Sequence, residues 1–517
     1  MANIDERTVC TTDYETGQNN IQVFGLDVHN PVFAIAAVTV ILFVVFSLAF
    51  QAEAATLFAA VRAWTTTSFD WLFMMAANFF VLVCFYLACS PLGKVRIGGV
   101  DVTPDYSYAS WFAMMFAAGV GIGLMFYGVL EPVTHTLNPP LGADPTVAAA
   151  GIGVAATVYH WGLHAWAIYA VVGLSLAIFY YNKGLPLTIR SAFYPLLGEK
   201  IWGWPGHVID VLAVFATLFG LATSLGIGAQ QTAAGLNYLF EIPNNASTQI
   251  VVIVGITVVA LISVIRGLDG GVKLLSEINM AIAVALLLFV LLAGPTLLIL
   301  GGVVTNTVDY LKYLPALSNW IGRGDSHFVH DWTTFYWAWW IAWSPFVGMF
   351  IARVSRGRTV REFIFATLLV PTSVGIIWMT TFGGSAIHQY LQEGFGGVIE
   401  AVNNSQVELA LFKFLEALPY TEITSIIAIV LVVVFFVTSM DSGSLVIDTI
   451  TAGGKIDAPV AQRIFWCTFE GLVAIALMLG GGLAALQAAS LATGFPFVLV
   501  LLLMCVSLFK GLNDELR

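Results

Sequence analysis

The stretch FYWAWWIAWSPF, residues 335–346, contains four tryptophans, two phenylalanines and a tyrosine, and it ends in a Ser-Pro pair followed by the second phenylalanine. It lies inside a longer apolar run, which is typical of a buried membrane helix. Proline removes a backbone donor and clashes with the preceding turn, so we expect this helix to be interrupted at Pro345. The stretch therefore predicts a large aromatic surface beside broken backbone within a membrane.

The composition of the whole chain supports that interpretation. Mean hydropathy is +0.89 and only 10% of the 517 residues are charged, whereas a soluble protein carries about 25%. Runs long enough to cross a bilayer recur along the chain. They lie at 31–50, 71–90, 107–128, 147–180, 208–236, 249–265, 278–302, 333–352, 362–384, 422–447, 464–481 and 484–508. We expect an all-α polytopic membrane protein with about twelve transmembrane helices.

The distribution of basic residues predicts an orientation. With twelve spans and both termini in the cytoplasm, all but four of the 20 Lys and Arg fall on the inner side, as the positive-inside rule requires. We therefore expect a multi-pass protein of the cytoplasmic (inner) membrane. Residues 1–30 are expected to be a cytoplasmic tail without a cleavable signal peptide, and residues 509–517 a second short cytoplasmic tail.

Several other classes of protein are disfavoured. The net charge is −11 and no basic patch suggests nucleic-acid binding. The spacing of the five cysteines fits neither a disulfide framework nor a zinc site. No nucleophile–base arrangement or nucleotide-binding loop is present. We expect no enzyme and no cofactor.

Two places predict irregular backbone inside the membrane. AAGVGIGLMFYG, residues 117–128, places Gly119, Gly121 and Gly123 at alternate positions, and the other place is Pro345. They lie five spans apart, so their helices run in opposite directions, a pattern typical of inverted repeats around a midplane site. The predicted halves are 107–302 and 331–508, with peripheral helices in 31–90 and an interfacial segment in 303–330. Alternatively, the glycines only allow close helix packing.

Deep tryptophans on two spans predict a shared pocket. By helical periodicity, Trp337, Trp340 and Ser344 share one face of span 8, and Trp339, Trp343 and Phe346 share roughly the opposite face. In span 4, YHWGLHAWAIY (159–169) places Trp161, Trp166 and Tyr169 within about a 140° arc of one helix. No intramembrane carboxylate is expected near these rings. Aromatic faces bind quaternary ammonium groups, so the rings form either an onium cage or filler between helices.

These stretches carry a resemblance to a known family. WTTFYWAWWIAWSPFVGMFIARVSRGRTVREF (332–363), AAGVGIGLMFYGVLEP (117–132), HWGLHAWAIYA (160–170) and FFVTSMDSGS (435–444) resemble the betaine/choline/carnitine transporter family. The resemblance implies a leucine-transporter-like core of spans 3–7 and 8–12, and often a homotrimer. It further implies that Trp161, Trp166, Tyr169 and Trp340 form the aromatic substrate box, and that Trp339, Trp343 and Phe346 line the permeation route.

The resemblance also bears on the substrate. Choline carriers of the family have aspartate at the position of Gly123, and a bare cation benefits from such a counter-charge. A betaine carries its own carboxylate, which free backbone amides at Gly119, Gly121 and Gly123 can receive. We therefore expect import of a small zwitterionic onium compound such as glycine betaine or dimethylsulfoniopropionate. Carnitine and choline remain alternatives.

For the coupling ion, Thr438 and Ser439 match the family's sodium site, which the backbone carbonyls of Ala117, Val120 and Phe435 would complete. Alternatively, these hydroxyls bond only to their own helix. A second family site needs two threonines, but Leu221 follows Thr217 one turn later. Proton coupling or exchange is the rival mechanism, with the candidates His160, His164 and Asp441. The two histidines also have metal-ligand spacing, but no third ligand is apparent, so we do not expect a metal site there. Sodium-independent exchangers of the family replace the sodium site with other chemistry, whereas this sequence keeps both hydroxyls, so we expect Na⁺ symport.

Overall fold

The apolar runs of the sequence form α-helices that stand side by side. The computed structural model describes residues 12–119, 121–145, 149–266 and 272–516. The helices of the first half are α1 Val32–Ala49, α2 Gln51–Cys89, α3 Tyr108–Gly119, α4 Ile122–Leu137, α5 Ala149–Trp161, α6 Leu163–Ala177, α7 Tyr194–Leu197, α8 Trp204–Phe240, α9 Ala246–Arg266 and α10 Val272–Ala293.

The second half continues the same architecture. Its helices are α11 Thr296–Leu317, α12 Thr334–Val354, α13 Val360–Met379, α14 Ser385–Leu391, α15 Gly397–Asn403, α16 Ala410–Glu416, α17 Thr421–Thr451, α18 Val460–Leu479 and α19 Gly482–Glu515. Wide π-helical turns occupy Ile178–Asn182, His327–Thr333 and Thr380–Gly384, and 3₁₀ turns occupy Pro91–Lys94, Ile189–Phe193, Gly198–Trp202 and Val407–Leu409.

The expected fold class is confirmed, but the number of spans is not. Within the described residues, ten helices or continuous helix pairs are long and apolar enough to cross a membrane. The interrupted pair α3–α4 and the tryptophan-rich α12 are not among these ten. The protein is therefore an all-α polytopic membrane protein, and twelve spans stay a prediction.

The interruption predicted at Pro345 is wrong, because α12 is continuous through that residue. Pro345 cannot donate to the carbonyl of Ile341 four residues earlier. The hydroxyl of Ser344 donates to that carbonyl instead, at 2.7 Å. This bond supplies the donor that the proline lacks. The pairing of two broken helices therefore no longer supports the inverted repeat.

The irregular backbone predicted in residues 117–128 is confirmed, and a second break, not predicted, lies in span 4. One separates α3 from α4, where Gly121 has an extended backbone (φ −160°, ψ −168°). The other separates α5 from α6 at Gly162 (φ −103°, ψ −139°). Span 4 is thus two helices, and Trp161 does not share a helix with Trp166 and Tyr169.

Element boundaries also differ from the predicted segments. Pro295 separates α10 from α11, so the expected boundary at 302/303 falls inside α11. The expected boundary at 508/509 falls inside α19, whose Glu515 pairs with Lys183. The proposed N-terminal tail contains a hairpin of β1 Asn20–Val23 and β2 Leu26–His29. Asp27 of this hairpin pairs with Lys455 at 2.6 Å, so the described part of the tail is docked on the bundle.

Candidate substrate-binding site

A cavity that is partly open to the surroundings lies where the α3–α4 break faces α12. Five helices, α4, α5, α6, α8 and α12, contribute to its wall. The lining residues are Gly121, Ile122, Gly123, Trp161, Tyr169, Ser224, Trp339, Trp340, Trp343 and Val347. Helix α12 is held against this cavity because it packs on α6, α8 and α19.

Trp340 is the centre of the aromatic group. Its ring centroid lies 5.2 Å from that of Trp161, 5.2 Å from that of Tyr169 and 6.1 Å from that of Trp166. The planes are tilted or nearly perpendicular, and only 8% of Trp340 is exposed. Such rings present faces and edges to one enclosed volume, as a cage for an onium group requires.

Seven of the ten predicted substrate residues line the cavity, and two described ones do not. Trp166 packs behind Trp340, and Phe346 packs on Trp343 with 5.3 Å between ring centroids. Gly119 ends α3, and its surroundings lie outside what the structure describes.

The prediction that Trp340 lies on the face of α12 opposite to Trp339 and Trp343 is wrong. Trp339, Trp343, Val347 and Trp340 all border the cavity, and at about 100° per residue they cover roughly a 100° arc. Trp337 points elsewhere and contacts the rings of Tyr159, His160 and His164.

Hydrogen bonds fix some of the indole rings around the cavity. The break at Gly162 leaves the carbonyl of Trp161 outside a regular helix, and the indole of Trp166 donates to it at 3.2 Å. The indole of Trp339 donates to the hydroxyl of Ser224 at 3.2 Å. The indole nitrogens of Trp340 and Trp343 are buried without a partner among the described residues, so packing alone holds these two rings.

Contrary to expectation, an intramembrane carboxylate lies beside these rings. Glu131 is fully buried, and its Oε2 accepts from the indole of Trp161 at 2.9 Å and from the hydroxyl of Tyr336 at 2.6 Å. The predicted span 3 ended at residue 128, which left Glu131 outside the membrane. Helix α4 continues to Leu137 with Pro132 inside it. The sequence signal that could have revealed this site was an isolated acidic residue so close to an apolar run.

Glu131 also changes the assessment of the histidines. Its Oε1 lies 2.5 Å from Nδ1 of His160 and 3.3 Å from Nε2 of His135. Among the described residues, these three form the one group with metal-ligand atoms within 4.8 Å of each other. His160 thus groups with Glu131 and His135 and not with His164, and mutual hydrogen bonds already account for this group. His164 instead lies 2.9 Å from the amide oxygen of Asn78.

The proposed sodium ligands are less organised. The hydroxyl of Thr438 donates to the carbonyls of Val434 and Phe435, at 3.1 and 3.0 Å. Ser439 is partly buried and Ala117 is exposed, while Val120 lies outside the described residues. At the possible second sodium site, the hydroxyl of Thr217 donates to the carbonyl of Ala213 in the same helix.

A family model described as "BCCT, betaine/carnitine/choline family transporter" matches residues 31–517. The chain belongs to this family. BCCT proteins are transporters rather than enzymes, and this protein has the multi-pass membrane fold that such a role requires.

Curated BCCT relatives match over almost the whole chain. A glycine betaine/proline/choline transporter of Vibrio parahaemolyticus is 58% identical over 98% of this chain and 95% of its own length. A glycine betaine transporter of the same organism is 54% identical over 99% of both chains. A glycine betaine transporter of Acinetobacter baylyi is 46% identical over 88% of this chain and 69% of its own length.

Proposed function

We propose that this BCCT protein is a secondary active importer of small zwitterionic methylated onium compounds, with glycine betaine or dimethylsulfoniopropionate as substrate. The enclosed group of Trp161, Tyr169 and Trp340 is the observation that carries this proposal. Each ring face contributes about 0.5–2 kcal/mol to binding a desolvated cation. Several faces together offset much of the cost of removing the head group from water.

The carboxylate end of the substrate has a plausible partner in the same cavity. Helix α4 begins at Ile122, directly after the extended Gly121, and its first residues border the cavity. Unpaired amides and the positive end of the helix dipole favour an anion at such a position. A betaine can therefore place its head among the rings and its carboxylate at the start of α4.

The named relatives support this substrate class, since their printed names include glycine betaine. Choline is the second candidate, and it appears in the name of one relative. The buried carboxylate of Glu131 favours it specifically, because a bare cation gains from a nearby negative charge. Proton-coupled or exchange transport of choline or carnitine is the corresponding alternative mechanism.

We further propose that Na⁺ symport drives alternating access. The support is the pair Thr438 and Ser439 on α17 with the carbonyl of Phe435, because hydroxyl and carbonyl oxygens are the ligands that hard cations prefer. A homotrimer in a bacterial inner membrane, with both termini cytoplasmic, is the assembly that we propose by analogy to the family.

Uptake into proteoliposomes tests the proposal. We expect saturable accumulation of labelled glycine betaine under an inward Na⁺ gradient, and none when K⁺ replaces Na⁺. Competition with dimethylsulfoniopropionate, carnitine and choline ranks the substrates. Accumulation driven by a proton gradient alone would reject sodium coupling, unsaturable flux would indicate a channel, and binding without accumulation would indicate a receptor.

A further inference from the structure

Four hydrogen-bond partners surround the carboxyl group of Glu131, which lies behind the ring of Trp161 at the aromatic cavity. Trp161 and Tyr336 contact Oε2 of Glu131 at 2.9 and 2.6 Å, and His160 and His135 contact Oε1 at 2.5 and 3.3 Å. The partners come from α4, α5 and α12. Glu131 therefore connects three of the segments that build the site.

The partners of Glu131 can satisfy an ionised carboxylate. An indole nitrogen only donates, so Oε2 must accept from Trp161. The distance to the hydroxyl of Tyr336 is the short one typical of an O–H···O⁻ bond. The hydroxyl of Thr333 lies 2.9 Å from Nε2 of His160, so a neutral imidazole can accept there and donate to Glu131 from Nδ1. Both carboxylate oxygens then act as acceptors.

The same bonds fix the ring of Trp161. On its far edge the ring meets Gly123, where a Cβ atom would lie 2.2 Å from Cη2. At the opposite edge Nε1 is bonded to Glu131. The ring is thus held between a glycine and a carboxylate, with its centroid 5.2 Å from that of Trp340.

We propose that Glu131 is a positioning residue that also supplies the counter-charge of the onium site, so that the cavity accepts cations of the choline type as well as zwitterions. The inference rests on the proposed function of the cavity. Glu131 acts through Trp161: it fixes the ring and places a negative charge behind it.

Charge selectivity follows from this arrangement. A negative charge attracts the head group of any onium compound, but it repels the carboxylate of a zwitterion. The two interactions partly cancel for glycine betaine and do not cancel for choline. Removing the charge should therefore weaken choline binding more than glycine betaine binding.

The test is Glu131→Gln, which keeps the size of the side chain and removes the charge. We expect the ratio of choline affinity to glycine betaine affinity to fall about tenfold in competition assays. Glu470→Gln is the matched control. Glu470 is also a fully buried glutamate of a membrane helix, but it is bonded to Ser444 at 3.2 Å and does not line the cavity. Its replacement should leave the ratio unchanged.

Each outcome decides the proposal. Equal weakening of both ligands would leave the affinity ratio unchanged and would make Glu131 a purely structural residue. Unchanged affinity for both ligands would show that Glu131 neither positions Trp161 nor supplies a counter-charge. If Glu131→Gln does not fold, infrared difference spectra between the wild type and Glu131→Asp test the charge directly. A carboxylate band supports the proposal and a protonated carboxyl band overturns it. Failure of the proposed function itself is distinguishable, because the wild type would then bind neither ligand.

Discussion

The aromatic cavity and the proposed sodium site differ in how completely the described residues build them. Trp161, Trp166 and Trp339 are buried, and each indole nitrogen has its own hydrogen-bond partner. In contrast, Thr438 bonds to carbonyls of its own helix, and Ala117 is exposed. Rigid side chains fix the geometry for the head group in advance. The ion ligands would come from α3 and α17, so their assembly depends on how these two helices meet.

The largest effect is expected at the centre of the cavity. Trp340→Ala removes the ring that contacts Trp161, Trp166 and Tyr169. We expect glycine betaine affinity to fall at least about 30-fold, which corresponds to ~2 kcal/mol, in a binding assay on purified protein. Trp204→Ala, at an exposed tryptophan, is the control for expression and folding. Retained affinity in the Trp340 variant would reject the cage.

A smaller but sharp effect is expected at Gly123. A Cβ there would overlap the ring of Trp161, so Gly123→Ala must tilt the ring and strain its bond to Glu131. We expect about a tenfold loss of affinity. Gly121→Ala should lose much less, because a Cβ there would meet nothing within 4 Å. Equal losses would show that Trp161 does not depend on its contact with Gly123.

Gly123→Asp meets the same steric conflict as Gly123→Ala. The larger side chain must displace Trp161, so a gain of choline preference requires the ring to find a new position. Competition between choline and glycine betaine in this variant measures whether the added charge outweighs the lost ring contact. A variant whose preference for choline is no greater than that of the wild type would contradict the role of charge at this position.

On the ion side of the comparison, Thr438→Ala combined with Ser439→Ala should raise the Na⁺ concentration for half-maximal uptake about fivefold. Glycine betaine affinity at saturating Na⁺ should change little. Thr449→Ala is the matched control, since Thr449 lies on the same helix and its hydroxyl donates to the carbonyl of Leu445 in that helix. Unchanged sodium activation in the double variant would place the ion elsewhere.

The smallest effect concerns the N-terminal hairpin, far from both sites. Burial, together with the positive charge of Arg190, lowers the pKa of His29 to about 3. An undocked hairpin would bind a proton near pH 6.5, whereas the docked one does so only near pH 3. Docking is therefore most stable above pH 6.5 and weakens as the pH falls toward 3.

Amide exchange of residues 20–29 should be faster at pH 5.5 than at pH 7.5, after correction for intrinsic rates. His29→Gln should remove this difference, and equal protection of the wild type at both values would contradict the account.

Sequence reasoning reached the fold class and most of the cavity because both depend on runs of apolar and aromatic residues. It failed where a local bond overrides a residue's usual preference. Ser344 satisfies the carbonyl that Pro345 leaves free, so α12 continues. Glu131 was missed because partners on three helices, α4, α5 and α12, make a buried carboxyl group tolerable, and no single stretch of sequence displays those partners together.

The central claim is that aromatic faces recognise the positive charge of the head group. Competition between glycine betaine and its carbon isostere, 3,3-dimethylbutanoate, tests this claim most directly, since the two differ only in the charge of the head. We expect the isostere to compete at least about tenfold less well, and we expect this difference to shrink in Trp340→Ala. Equal competition by the two compounds would show that the cavity recognises only shape, which would contradict the account.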